Sequence, residues 1–121
     1  MNLLDEKSFD FSIRIVKLNR YLQNEYKEFV LSKQLLRSGT AIGALIAEAQ
    51  YAQSKADFVH KLQISLKEAN ETRYWLRLLY ACNYLTDTMF NSILKDNESL
   101  IRIITSSINT SKKRTHEHAS I

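Results

Sequence analysis

The chain has 121 residues, with two glycines, no proline and one cysteine, a length that fits one domain with a real core. A composition that is 45% apolar and 25% charged argues against disorder. So few turn residues exclude all-β and doubly wound α/β folds, and the lone Cys82 excludes a disulfide framework or a Cys-based zinc cluster. Without a long apolar run or a signal-peptide start, we expect a cytoplasmic all-α protein with no membrane contact.

The formal net charge of +4 is unevenly distributed. Lys112, Lys113 and Arg114 against Glu117 place +2 in the last eleven residues, which leaves +2 for residues 1–110. Such a small positive charge is compatible with binding to a polyanion but does not by itself indicate it.

The first two predicted helices share an apolar spacing of four and three residues. The first spans about 9–29, with Ser8 as N-cap. Its apolar positions are Phe11, Ile15, Leu18, Leu22, Tyr26 and Phe29. The second spans about 32–52, with Ser32 as cap. Its stripe is Leu35, Gly39, Ile42, Ile46 and Ala49.

The second half of the chain predicts two more helices. Ser54 and Asp57 resemble a capping box that opens a helix over about 55–83, and residues 83–87 form a turn. The fourth helix spans about 87–109, and Asn97 lies in its apolar seam as a residue that fixes register.

Four helices joined by short connections favour antiparallel neighbours, so we predict an all-α, up-down-up-down four-helix bundle. Residues 1–110 form the bundle, and residues 111–121 form a disordered basic tail.

The third helix carries large apolar groups on two faces. Besides the face toward the core, a second face holds Ile64, Trp75, Leu78 and Cys82. We therefore expect this second face to contact another subunit. The alternative is that Trp75 covers the end of the bundle.

No constellation of residues predicts catalysis or a cofactor. The Glu-x-x-His pairs of di-iron bundles are absent, and so are a glycine-rich phosphate loop and a histidine partner for Cys82. His116 and His118 lie in the tail without residues to orient them. We expect no catalytic residue, no metal and no cofactor, and hence no enzyme.

A polar line on the second helix contains Gln34, Arg37 and Glu48. If the second and third helices pair about a bend near residue 53, Arg37 lies opposite Glu68 and Glu71. Glu48 then lies opposite His60 and Lys61. We interpret these five residues (Gln34, Arg37, Glu48, Glu68 and Glu71) as a structural polar network rather than a ligand site.

Residues 34–48, QLLRSGTAIGALIAE, resemble the second helix of the four-helix-bundle proteins encoded in 23S rRNA intervening sequences. That family has a Gln-Leu-x-Arg-Ala run followed by Ser-Ile-x-x-Asn-Ile-Ala-Glu-Gly. Residues 57–72 also resemble the family, and the likeness extends over about 8–110. Ala44 and Ala49 depart from the family's Asn and Gly, and Tyr51-Ala52 from its Gly-Arg.

The resemblance implies a ring of subunits, expected to be a pentamer. These proteins are similar in fold to the accessory variability protein of diversity-generating retroelements, a ring whose basic surface binds nucleic acid and a reverse transcriptase. Two functions therefore remain open. The first is a non-enzymatic oligomer that binds structured RNA, which a basic stripe would favour. The alternative is an oligomeric adaptor for a protein partner, which an exposed apolar groove would favour.

For RNA binding we expect contacts from basic residues that the bundle does not use. These are Lys55, Lys61, Lys67, Lys112, Lys113 and Arg114. The sequence shows no aromatic platform for unpaired bases, so contacts to phosphates are expected to dominate.

Overall fold

The computed structural model describes the backbone of residues 2–119 and the side chains of residues 2–113. Four helices follow one another: α1 Leu3–Tyr26, α2 Leu31–Ala49, α3 Lys55–Ala81 and α4 Asp87–Ala119. Each helix packs against the one before it, and α4 also packs against α1. The predicted antiparallel four-helix bundle is confirmed.

Helices α3 and α4 begin where the sequence predicts. The Ser54 hydroxyl oxygen accepts a hydrogen bond from the Asp57 N–H at 3.1 Å, which caps α3. At the start of α4, the Thr86 hydroxyl accepts from the Met89 N–H at 3.2 Å. Helix α3 ends at Ala81, two residues earlier than predicted, and Asn83 follows with a left-handed φ of 67°.

Helix α1 begins six residues earlier than predicted, at Leu3 instead of residue 9. Asn2 is its cap, because the Asn2 side chain accepts from the Asp5 N–H at 2.9 Å. Ser8, predicted as the cap, is buried inside the helix, where its hydroxyl donates to the Asp5 carbonyl at 3.1 Å. The helix ends at Tyr26 because Lys27 adopts a left-handed φ of 53°.

Helix α2 is shorter than the predicted span of 32–52. Ser32 is not its cap but lies in its first turn, where its hydroxyl donates to the Glu28 carbonyl at 2.6 Å. The other end tightens into a turn, in which the Tyr51 N–H donates to the Glu48 carbonyl at 3.0 Å.

Helix α4 continues ten residues beyond the predicted end at 109, because neither proline nor glycine interrupts residues 87–119. Residues 111–119, expected to be a disordered tail, are therefore helical, and 120–121 lie outside the described residues. Among the described side chains of α4, Ile108 is the last buried one, so those of residues 109–113 lie outside the packed core.

Aliphatic side chains from all four helices form one core. Helices α1 and α2 approach closely at Gly39, where a Cβ atom would lie 2.8 Å from the buried Ile15 side chain. In α4, Asn97 is fully buried and its Nδ2 donates to the Ala69 carbonyl at 3.1 Å. Within the described side chains its Oδ1 atom has no partner.

Candidate functional site

A polar cluster joins α2 to α3 halfway along the bundle. The Arg37 Nη1 atom lies 3.2 Å from the Glu68 Oε2 atom, and its Nη2 atom donates to the Glu71 Oε1 atom. Gln34 accepts from the Arg37 Nε atom at 3.4 Å. Glu48 lies apart from this cluster, about three turns beyond Arg37 along α2, and pairs with Lys61 at 3.8 Å.

The cluster contains one carboxyl group that is poorly solvated. The Glu68 side chain is only 13% exposed, and this burial raises its pKa. The nearby negative charge of Glu71 raises the pKa of Glu68 further, whereas Arg37 lowers it. The Trp75 indole N–H donates to Glu71 at 3.3 Å, so these side chains mainly satisfy one another.

The four residues expected at a subunit interface differ in exposure. Ile64, Trp75 and Leu78 are half-buried within the protomer, and Cys82 is exposed at the end of α3. More exposed large apolar side chains lie elsewhere on the bundle. They include Leu3, Phe9 and Ile13 on α1, and Tyr51 just after α2.

An apolar groove runs between α1 and α2, with a volume of about 980 Å³. Phe9, 64% exposed, and Tyr51, 88% exposed, stand at its sides. Gly43, Ala44 and Ala47 line it from α2. Because Gly43 has no side chain and Ala44 and Ala47 have only methyl groups, the surface between the two helices is concave rather than flat.

The outer surfaces of α3 and α4 form a basic face. We define it by five exposed cationic side chains: Arg73, Arg77, Lys95, Arg102 and Lys113. Arg73 shows that the two helices contribute to one surface, because its Nη2 atom lies 3.9 Å from Glu98 on α4.

Helical geometry aligns three of the cations of α4. Lys95, Arg102 and Lys113 follow one another after two and three turns, so they lie within about 20° around the helix axis. Arg102 and Lys113 also line a shallow concavity of about 480 Å³ along the outer side of α4. The cations therefore form a stripe along the helix instead of being scattered around it.

Few carboxylates neutralise this face. Arg73 pairs with Glu98, while Asp96, beside Lys95 in sequence, is bound to Arg14 on α1. Among the side chains of residues 2–113, Arg77, Lys95 and Arg102 form no ion pair. The charges of these three cations are thus not neutralised by an ion pair within the described side chains.

The residues expected to bind RNA do not all reach this face. Lys55, Lys61 and Lys67 are six residues apart, which points them in three directions about 120° apart around α3. Lys113 belongs to the basic face, whereas Lys67 lies about 120° around α3 from Arg73. Lys61 is paired with Glu48 on the α2 side. Lys55 and Lys112 are exposed. The Arg114 side chain lies outside the described residues.

Sequence reasoning missed Arg73, Arg77, Lys95 and Arg102. The spacing of seven residues between Lys95 and Arg102 is a usable signal, since it keeps two residues on one helix face. Asn70 and Arg77 repeat that spacing on α3. What the sequence lacks is the orientation of each helix, which decides whether two such lines meet.

The described residues contain neither a cluster of metal-binding side chains nor a helix able to cross a membrane. No group of three or more His, Cys, Asp or Glu side chains within them could hold a metal ion. Their longest apolar stretches fall short of what a bilayer span requires.

The molecule is thus a four-helix bundle with one basic and one apolar exposed surface. The family model for 23S rRNA-intervening sequence proteins matches residues 4–106, so the chain belongs to that family. It is also similar to the crystal structure of a protein of unknown function from the S23 ribosomal protein family of Bacteroides thetaiotaomicron VPI-5482. The two chains are 53% identical, over 88% of this chain and 98% of the other, with a TM-score of 0.87. A comparison with curated proteins found no match.

Proposed function

We propose that the protein is a non-enzymatic module that binds structured RNA through the basic face. The observation that carries this proposal is the group of unpaired cations, Arg77, Lys95 and Arg102, on the joint surface of α3 and α4. Phosphate groups along an RNA helix bind such cations, because each contact releases condensed counterions.

The experiment titrates the full-length protein with a fluorescent RNA hairpin at about 50 and 200 mM salt. The test variant is Lys95→Gln combined with Arg102→Gln. The control is Lys17→Gln combined with Arg20→Gln, which removes the same charge from exposed positions on α1. Binding by the test variant should be at least about ten-fold weaker at the lower salt, and its salt slope should shrink by about two.

The control variant should bind almost like the wild type. Equal losses in the two variants would mean that net charge, and not the basic face, attracts the RNA. No binding by the wild type at the lower salt would reject RNA as the ligand and favour the protein-adaptor alternative.

A second function, self-assembly, is supported by the apolar groove between α1 and α2. Its exposed Phe9 and Tyr51 flank a concave surface on which a second copy of the chain could bury apolar area. A ring built in this way would repeat the basic face around an axis and multiply its attraction for RNA. Sedimentation at micromolar concentration tests this proposal, and a mass of 14.1 kDa, that of one chain, would reject it.

A further inference from the structure

One end of the basic face contains an aromatic concavity of about 480 Å³. It lies where the last turns of α3 meet the first turns of α4. Its lining residues are Tyr74, Arg77, Leu78, Tyr80, Ala81 and Phe90. Arg77 belongs both to this concavity and to the basic face, so the two surfaces are continuous.

Two aromatic groups give the concavity its shape. The Tyr80 and Phe90 rings stack with their centroids 4.1 Å apart and their planes 3° apart. The Tyr80 hydroxyl donates to Asp87 at 2.6 Å, which fixes the stack and engages the carboxylate next to it. The Tyr74 and Trp75 rings are nearly perpendicular, with their centroids 5.2 Å apart. Tyr74 is 56% exposed, so much of its ring is open to solvent.

This combination suits a nucleobase. Exposed aromatic rings stack on bases of any sequence, and a planar guanidinium binds base edges or phosphate oxygens through paired N–H groups. Arg77 is exposed and forms no ion pair with a described carboxylate, so its donors are available. An apolar protein segment would gain nothing from that charge.

We propose that the aromatic concavity takes an unpaired nucleobase from an RNA whose paired region lies on the basic face. The inference rests on the proposed function and narrows its ligand to duplex RNA interrupted by a bulge. It also differs from the expectation that the chain has no aromatic platform for unpaired bases and that phosphate contacts dominate.

The experiment compares two RNAs on the full-length protein: a perfect hairpin stem and the same stem with one bulged 2-aminopurine. The variants are Tyr74→Ala and Tyr74→Phe, and circular dichroism verifies that each is folded. Wild type and Tyr74→Phe should bind the bulged RNA about ten-fold more tightly than the perfect stem and should quench the 2-aminopurine fluorescence on binding. Tyr74→Ala should lose both the preference and the quenching, with its affinity for the perfect stem unchanged.

The outcomes separate the inference from the proposed function. Equal affinity of the wild type for both RNAs, without quenching, overturns the nucleobase site and leaves RNA binding by the basic face intact. A Tyr74→Ala variant that keeps its preference also overturns the site. If neither RNA binds, the proposed function fails and the nucleobase site fails with it.

Discussion

The α1–α2 side and the α3–α4 side of the bundle are built from amphipathic helices of the same kind, yet they expose opposite chemistry. On the first side, Gly39 and Gly43 let α2 approach α1 so closely that α1 residues occupy the space where a Cβ atom would lie. Small residues further out leave an apolar groove between the two helices. On the second side, long cations extend outward from both helices with few carboxylates between them. The comparison teaches that side-chain size at a helix contact shapes the outer surface as strongly as polarity does.

The largest expected effect comes from breaking the close approach of α1 and α2. Gly39→Val should destabilise the bundle by about 2–3 kcal/mol, because the new side chain must displace Ile15, which has no exposed surface. Urea unfolding followed by circular dichroism measures the loss.

Gly43→Ala is a milder substitution one turn further along the same contact. The Cβ atom would lie 3.0 Å from the Ser12 hydroxyl and 3.2 Å from the Ser8 carbonyl oxygen, which is less close than the 2.8 Å at Gly39. Its cost should be smaller, since alanine also favours the helix. Similar losses in both variants would show that the contact at Gly43 is as tight as the contact at Gly39.

The residue pairing between two helices joined by a short connection is the part of the structure most readily predicted from sequence. Arg37 and the two glutamates stand at similar distances from the bend between α2 and α3, so antiparallel pairing alone brings them together. The Ser54 cap is equally local. In contrast, Ser8 and Asn2 are both good capping residues, and only the packing of Leu4 into the core favours the earlier start of α1.

The two exposed surfaces could not be predicted in the same way. The basic face exists because α3 and α4 are rotated so that Arg73 and Lys95 lie on the same outer side of the bundle. The groove exists because Phe9 and Ala44 come from helices whose separation depends on Gly39. Rotation and separation are properties of helix pairs, and periodicity within one helix does not determine them.

An intermediate effect is expected from changing the groove without changing the core. Ala44 is exposed, so Ala44→Arg should leave the unfolding free energy within about 0.5 kcal/mol of the wild type. The charge would be buried in any contact between copies, so self-association should weaken at least about ten-fold. Sedimentation across a concentration series measures it, with Lys33→Arg on α2 as a control. An unchanged association constant would place the interface elsewhere, for instance on Ile64, Trp75 and Leu78.

The smallest effect concerns the polar cluster between the two sides. Arg37→Ala should cost about 1 kcal/mol at neutral pH, a modest value because the arginine side chain is 50% exposed and solvent screens its charge. The variant leaves Glu68, only 13% exposed, beside Glu71 without the guanidinium group that pairs with both carboxylates.

The pH dependence distinguishes lost pairing from lost packing. Because burial already raises the folded-state pKa of Glu68 above its unfolded value, the native state holds its proton more tightly, and this carboxyl group favours folding more at low pH. Removing Arg37, which lowers that pKa, should raise it further. The cost of Arg37→Ala should therefore shrink as the pH falls through the folded-state pKa of Glu68, whereas Arg20→Ala, an exposed control on α1, should show no such trend. Urea unfolding at neutral pH and near pH 4 measures both variants. A loss that is equal at the two pH values would mean that Arg37 contributes through its aliphatic packing on α3 and not through its charge.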